Sequence, residues 1–445
     1  MNKVLKIKSS LITNGISINV KNKDYALEYP HEIWTKTPEE VKIFLQEHIT
    51  VANTHYLPLM LDYSQIDYDI PIPFFEPFLF KNQLYDMLYC EDVDKTFRLK
   101  YLQKFYNLEY KFKKSNSQIL NNINIQNFKH DKPVAIIPFS FGKESLATLG
   151  LCLELDIEPI LVYVQEPSQP YEEMAKKEML NELSSVFKIK SYYIKNDPGL
   201  FRYGRAFNLK KQSEIGWGTE ATTFLLLMLP FIFAYGANMV LFGNEYTNNE
   251  SYIKNGWRVF SSYDQHPDWV FQQNNMLSSI TANKTQVKTM LEPLEESSVF
   301  YILHNHYPKL AKYQFSCHAR QPLTNNSHWC HVCSKCWFNN ALALSFGLDN
   351  TSLGFKKDFI YDTKFFEKQI KPRIKDDPEL QFIYIALKLR GIDLGFNKIK
   401  NLHQWNWYKD RYTILKPAIH LPNKYIDKLD QIFKKEVESM KTALP

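Results

Sequence analysis

Read as a pattern of apolar and polar positions, the chain changes texture twice. The opening alternates: Leu5-Lys6-Ile7-Lys8 and Ile16-Ser17-Ile18-Asn19-Val20 place apolar residues at every second position, the period of a half-buried strand, and predict a hairpin. Helical patterns follow. Thr37-Pro38-Glu39-Glu40 has the form of a capped helix start with Pro at the first helical position, and Arg98 to Lys114 reads as a charged amphipathic segment. The polar run Lys113 to Asn127 reads as a connection, which puts a domain boundary near residue 128.

From Val134 the order becomes strand, turn, helix, strand: Val134 to Ser140, Phe141 to Ser145, Leu146 to Ile157, then Glu158 to Glu166. A helix around Glu172 to Phe187 leading into a strand at Ile189 to Ile194 makes a second unit, and Ala221 to Phe242 a third. Such alternation predicts an α/β domain, a parallel sheet covered by helices. Ligands of such sheets lie beyond the carboxyl ends of the strands, so the turns after Pro138, Val164 and Phe242 are expected to share one crevice.

The stretch Ala221 to Gly243 carries no charge and is long enough to span a bilayer. Pro230 and the Gly236-Ala237-Asn238 break favour a buried helix followed by a short buried strand, Met239 to Phe242. The first twenty residues lack the continuous apolar segment of a secretory signal, and six Cys in 445 residues are far from a disulfide scaffold. The expectation is a cytoplasmic protein that does not enter the membrane.

Composition refines this picture in two ways. With 445 residues, 44% of them hydrophobic and 15% aromatic, the chain can build two or three cores rich in Phe and Tyr. The net charge of +6 is mild, and it is local: from Thr351 onward there are 19 basic and 12 acidic residues. That surplus reads as the solvated face of a helical appendage in preference to a polyanion-binding surface. The expected parts are an α+β domain over 1–128, an α/β domain over 129–348 and a mostly helical, basic extension over 349–445.

Two motifs carry chemistry. Ser140-Phe141-Gly142-Lys143-Glu144-Ser145 stands directly after a buried strand and before a helix. There, backbone N–H groups, a Gly, two hydroxyls and a Lys converge on an anion. No GxxxxGK[ST] occurs, so a Walker-type loop is excluded. Cys317, Cys330, Cys333 and Cys336 fall within twenty residues, with two CxxC spacings sharing Cys333. Four soft thiolates at this spacing suit a tetrahedral Zn²⁺, and a closed shell makes it structural. His318, His328 and His331 are the competing ligands, while Cys90 and Cys152 sit in apolar contexts and read as core.

The first motif resembles the SGGxDS signature of the PP-loop ATP pyrophosphatases, with Phe141 in place of the second Gly and Glu144 in place of the Asp. The resemblance implies a Rossmann-like parallel sheet of the PP-loop, adenine nucleotide alpha hydrolase type. It implies that Ser140, Gly142 and Ser145 hold the leaving pyrophosphate of ATP and that Glu144 helps bind Mg²⁺. From its chemistry alone, Lys143 is expected to add charge neutralisation. It sets the backbone around Val162 to Val164, with Tyr163, against adenine. Gly243 and Asn244, followed by Glu245, face the α-phosphate or the substrate.

Together with the downstream cluster, the chain resembles the 7-cyano-7-deazaguanine synthases over about residues 130–348, where one Cys after a short polar turn precedes a compact CxxCxxC leading into a helix. The implied reaction activates a carboxylate such as 7-carboxy-7-deazaguanine as its acyl-adenylate and passes the acyl group to an amine. Family members carry a Tyr-Pro-Asp-Cys-Arg-like segment where this chain has Tyr263 to Trp269, so Asp264 and Trp269 are the residues expected to read a purine-like ring. A basic position expected after Leu294 is replaced by Glu295-Glu296. The added terminal regions allow a second reading, a ligase of antiviral defence systems that joins a deazaguanine to a protein partner. Two further readings are a tRNA-modifying PP-loop enzyme and a noncatalytic ATP-binding scaffold.

Overall fold

The computed structural model describes residues 3–120, 130–319, 323, 328–374, 377–395 and 404–445. Its strands begin as the alternation dictates. β1 (Val4–Ile12) and β2 (Gly15–Val20) pair antiparallel, and β3 (Lys23–Glu28) continues the meander. The turn between β2 and β3 is two residues, Lys21 and Asn22, both left-handed (φ 53° and 62°), which matches the right-handed twist of the flanking strands. β4 (Gln65–Tyr68) and β5 (Glu109–Lys111) add to β1 in parallel.

The second half of the sheet holds β6 (Val134–Pro138), β7 (Glu158–Val164), β8 (Lys190–Asn196) and β9 (Met239–Phe242), all parallel. The strands β10 (Ser251–Lys254) and β11 (Trp257–Phe260) form a separate hairpin, and β12 (Gln286–Thr289) returns to pair parallel with β9. The spatial order is β12-β9-β6-β7-β8-β3-β2-β1-β4-β5, one mixed, mostly parallel sheet of ten strands. Counted from β8 to β12, the parallel half runs third, second, first, fourth, fifth in chain order. This is the doubly wound arrangement, with its switch point between β6 and β9.

The central strands β6, β7 and β9 are buried on both faces, and successive residues along them join opposite cores. Ala135, Ile137, Leu161, Tyr163 and Leu241 join one core, with the helices Lys143–Glu154 and Pro170–Phe187. Val134, Ile136, Ile160, Val162 and Val240 join the other, with Glu220–Leu227 and Leu229–Tyr235. The N-terminal helix Glu39–Thr54 contributes Val41, Phe44 and Leu45 to that second core. β3 pairs with β8 at Leu27–Asn196 and Glu28–Lys195, so the sheet is continuous from the N-terminal strands into the parallel half; residues 121–129, where the sequence places a boundary, lie outside the described residues. The C-terminal region is helical, with Pro378–Leu389, Trp405–Tyr412 and Ile426–Ala443, and its Leu380, Ile383, Phe433 and Met440 share the first core.

Three local expectations are corrected. Pro38 sits at the N-cap position of Glu39–Thr54, and Thr37 does not cap it but donates its hydroxyl to the Ile33 carbonyl at 2.9 Å. Arg98 to Lys114 is helical only over Lys100–Tyr106, because Glu109–Lys111 is captured by the edge of β4. The uncharged stretch from Ala221 is split at Met228 into two short helices before β9. Among the described residues no helix is long and apolar enough to cross a membrane.

Candidate functional site

The loop after β6 is shaped by its backbone. Phe141 is left-handed (φ 63°), and Gly142 is extended at the N-cap of Lys143–Glu154. The resembled signature has Gly where Phe141 stands, and the left-handed turn persists without it. Its cost, roughly 1–2 kcal/mol for a residue with a Cβ, is offset by the ring. Phe141 is fully buried and packs edge-on to Phe139 at 4.8 Å, a burial worth about 2–3 kcal/mol. Its carbonyl accepts from the Phe315 amide at 2.8 Å, tying the loop to the segment that enters the cysteine cluster. Within the turn, the Gly142 amide donates to Ser140 Oγ at 3.2 Å and Ser145 Oγ donates to the Gly142 carbonyl at 3.1 Å.

Beyond the carboxyl ends of β6, β7 and β9 lies one cleft of about 920 Å³. Ser140, Gly142 to Ser145, Tyr163, Val164 and Gly243 to Glu245 all line it, so the three turns do share a crevice, at the switch point. Gly142 leaves space that a Cβ would fill, 2.8 Å from a Glu144 carboxylate oxygen.

The charge is arranged differently from the sequence expectation. Lys143 is buried, with its ammonium between Glu144 and Glu296, 2.6 Å from the latter. Burial opposes its charge, but Glu144, Glu296 and Glu245 outweigh that and hold its pKa well above the usual lysine range. Lys143 is therefore committed to carboxylates. Burial also works against Glu144, yet Lys143, with help from Lys335, keeps its carboxyl below the ordinary range. Glu245 goes the other way: burial and the Glu144 charge push it well above that range. Its Oε2 is buried without a hydrogen-bond partner. Glu295 is buried and 3.2 Å from Lys416, and Glu379 accepts from the Ser297 amide at 2.8 Å. So many carboxylates would repel a bare polyphosphate; they fit an anion that arrives with divalent cations.

Sequence reasoning missed several groups on the same cleft. Lys335, exposed on the helix Ser334–Ser345, lines it and acts on both Glu144 and Glu220. Glu166 and Glu220 flank the buried Arg202, at 2.6 Å for Glu166. Tyr203, Trp217 and Phe224 are half-buried beside them. Lys335 lies inside the second CxxC spacing and Glu166 directly follows a strand end, so both had a positional signal; Trp217 had none.

Asp264 and Trp269 do not reach the cleft. Asp264 is buried, where its Oδ2 accepts from the Ala221 amide at 2.8 Å and satisfies the start of Glu220–Leu227. The Trp269 indole donates to Thr222 Oγ1 at 2.7 Å and is enclosed. Both hold the helix that carries Glu220. Asn244 is buried as well, donating to the Gln265 carbonyl at 3.2 Å.

The four cysteines converge. Cys317, Cys330, Cys333 and Cys336 place their sulfurs within 4.8 Å of one another, none in a disulfide. The separations are 3.4 Å for Cys317–Cys336 and Cys333–Cys336, and 3.9 Å for Cys317–Cys333 and Cys330–Cys336. A tetrahedron with Zn–S bonds of about 2.3 Å has edges of about 3.8 Å, so the cluster could hold a zinc ion with a closed shell. His328 Nδ1 donates to the Gln314 carbonyl at 3.1 Å instead, and His331 accepts from the Lys356 amide at 3.2 Å. Cys317 and Lys335 both line the cleft, which makes the cluster part of its wall. Cys90 and Cys152 are core residues.

No protein-family model matches the chain, and no curated protein matches its sequence.

Proposed function

We propose that the protein is an ATP-dependent ligase that forms an acyl-adenylate from a carboxylate, 7-carboxy-7-deazaguanine or a similar ring, and transfers the acyl group to an amine. The observation that carries this reading is the loop Ser140–Ser145 between a buried strand and a helix N-terminus, at the switch point of a doubly wound sheet and beside a cysteine cluster.

In this reading the substrate carboxylate oxygen attacks the α-phosphorus of ATP, and the bond to the β-phosphate breaks to release pyrophosphate. The amine nitrogen then attacks the acyl carbon, AMP leaves with the bonding pair, and the amine proton passes to solvent. The protein orients reactants and stabilises charge, with no nucleophilic side chain needed. Ser140, Gly142 and Ser145 hold the departing pyrophosphate. Mg²⁺, when bound, supplies phosphate neutralisation, and Glu144 and Glu245 are the carboxylates that would hold it. Tyr163 and Val164 border adenine, Gly243 and Asn244 the α-phosphate. Lys335, an exposed cation on the cleft wall, attracts the acyl carboxylate. Zn²⁺ in the cysteine cluster would be structural.

One observation favours a protein as the amine donor. Ile253 and Trp257 on the β10–β11 hairpin and Trp407 on Trp405–Tyr412 are exposed, and Glu250 at the cleft is 2.8 Å from Arg411 of that helix. Exposed apolar side chains on elements that also contribute Tyr252 and Tyr412 to the cleft suit a polypeptide whose terminus enters it.

The test is incubation with ATP, Mg²⁺ and 7-carboxy-7-deazaguanine, with and without ammonia, resolving AMP, ADP and pyrophosphate. AMP and pyrophosphate that appear only with the carboxylate establish adenylation, and their dependence on ammonia separates a small-molecule synthase from a protein ligase. Absence of nucleotide cleavage by folded, zinc-loaded protein sinks the stand-alone enzyme.

A further inference from the structure

The part of the cleft wall that carries Tyr203, Trp217 and Phe224 has features that ATP chemistry alone does not require. Tyr203 and Trp217 lie side by side, ring centroids 6.0 Å apart and planes 32° from parallel. With Phe224 they are half-buried and line the cleft. Tyr203 is left-handed (φ 58°, ψ 5°), a conformation in which an aromatic residue is strained and which clusters at functional sites. Arg202 is buried between Glu166 and Glu220, two carboxyl groups to one guanidinium.

This wall is held from outside the parallel sheet. The segment 213–218 is clamped by the N-terminal helix Glu76–Val93 and the residue after it. Asp86 accepts from the Gly218 amide at 3.1 Å and from Gly216 at 3.4 Å. Asn82 donates to the Gly218 carbonyl at 3.0 Å, and Asp94 accepts from the Glu214 amide at 3.3 Å. A Cβ on Gly218 would come 2.3 Å from Asp86, so Gly is required for the approach.

We propose that Trp217, Tyr203 and Phe224, with the carboxylate of Glu220, form the subsite for a planar nitrogen heterocycle that presents adjacent N–H donors, the ring of the acyl donor and not adenine. This deepens the adenylation reading and rests on it. Aromatic faces bind any flat ring by stacking; the selectivity comes from Glu220. Burial raises the Glu220 pKa, but Arg202, paired with its Oε1, opposes that rise, and the carboxylate so held only accepts hydrogen bonds. A 2-amino-4-oxopyrimidine edge offers a ring N–H and an amino N–H side by side, and both are matched. An adenine edge offers one amino donor next to a ring nitrogen whose lone pair would face the second oxygen. A matched bidentate pair of this type discriminates roughly ten- to hundredfold. The N-terminal helix is then a positioning element for the donor ring.

The test titrates the full chain, without ATP, with 7-carboxy-7-deazaguanine and with the matched 7-carboxy-7-deazaadenine by calorimetry, and separately with MgATP. The deazaguanine probe is expected to bind at least about tenfold more tightly than the deazaadenine probe. Glu220→Gln and Trp217→Ala should each weaken it about tenfold, while MgATP affinity changes less than about twofold and Trp217→Phe retains binding. Circular dichroism and zinc content check that each variant is folded. Lack of binding by either probe, unchanged affinity in both variants, or a loss directed at MgATP would overturn the assignment, the last by making this wall the adenine seat. Probe binding with the expected pattern but no AMP formation would remove the ligase reading and leave the subsite; AMP formation insensitive to both substitutions would do the reverse.

Discussion

Gly243, at the end of β9, lies so close to Glu144 that a Cβ on it would fall 2.6 Å from the Glu144 Cβ and 3.2 Å from its carbonyl carbon. The two strands that flank the switch point therefore meet through a glycine and the first turn of Lys143–Glu154. Gly243→Ala must push Glu144, and with it the Lys143 ion pair, out of place. Overpacking of this kind costs roughly 1–3 kcal/mol. On the proposed adenylation reading, ATP–pyrophosphate exchange should fall by at least about tenfold, since misplacement by about an ångström can cost more than that. A variant that melts as the wild type and exchanges normally would show that Glu144 is not held by this contact.

Phe141 offers a test of backbone against packing. Its ring is buried, so truncation is destabilising, by about 3–5 kcal/mol for Phe→Ala in a core. Its φ of 63° reverses the usual order of the small residues. Phe141→Gly should be more stable than Phe141→Ala by about 1 kcal/mol, because only glycine takes this conformation without strain. Denaturant unfolding of the two variants decides it: the opposite order would mean that the loop relaxes out of the left-handed turn when the ring is removed.

What could be read from the sequence divides along physical lines. The units from Val134 to Phe242 were legible because a doubly buried strand leaves a short continuous apolar run and an amphipathic helix a period of 3.6, and the short strand Met239–Phe242 lies where the apolar run and the Gly-Ala-Asn break put it. The cysteine cluster was legible because its ligands are close in sequence. Asp264 and Trp269 stand out by their place in the segment Tyr263 to Trp269 and by chemical type, neither of which reports burial; their bonds to Ala221 and Thr222 depend on a helix more than forty residues away. Lys143 has the look of a phosphate ligand until Glu296, 153 positions on, is brought against it. Trp217 is held at the cleft by the bonds of its neighbours Gly216 and Gly218 to Asp86 and Asn82, which no local pattern encodes.

The sulfur separations in the cysteine cluster make a stoichiometric prediction. One zinc per chain is expected by elemental analysis, lost on Cys336→Ser or Cys333→Ser and retained in Cys152→Ser, since Cys152 is buried in the core away from the cluster. Chelation should lower the melting temperature and loosen the Lys335 segment, because the four thiolates are what fix its position. Two or more zinc ions per chain, or metal retained after removal of either cysteine, would show that the ligand set is different.

Acid stability isolates a third feature, in the N-terminal region. His48 is fully buried, with Nδ1 2.7 Å from the Phe44 carbonyl and Nε2 accepting from the Phe75 amide at 3.1 Å. That pair of bonds requires the neutral ring with its proton on Nδ1. Burial lowers the His48 pKa to about 3, against the helix carbonyl, which raises it. The native state thus takes up no second proton on this ring between about pH 6.5 and pH 3, whereas the unfolded chain does. The His48 contribution is complete above pH 6.5 and is lost as the pH falls, by up to about 1.4 kcal/mol per unit. Glu47 and Asp86 have raised pKa values, about 7 and about 6, chiefly through burial. They act in the opposite sense, since their stabilisation grows as the pH falls through those values. The whole profile mixes these terms, and the difference between wild type and His48→Gln separates them. Glutamine can still accept from the Phe75 amide but does not titrate, so wild type should lose about 2 kcal/mol more than His48→Gln between pH 7 and pH 5. Parallel profiles from denaturant unfolding would mean that His48 titrates normally and that the Phe75 amide has another acceptor.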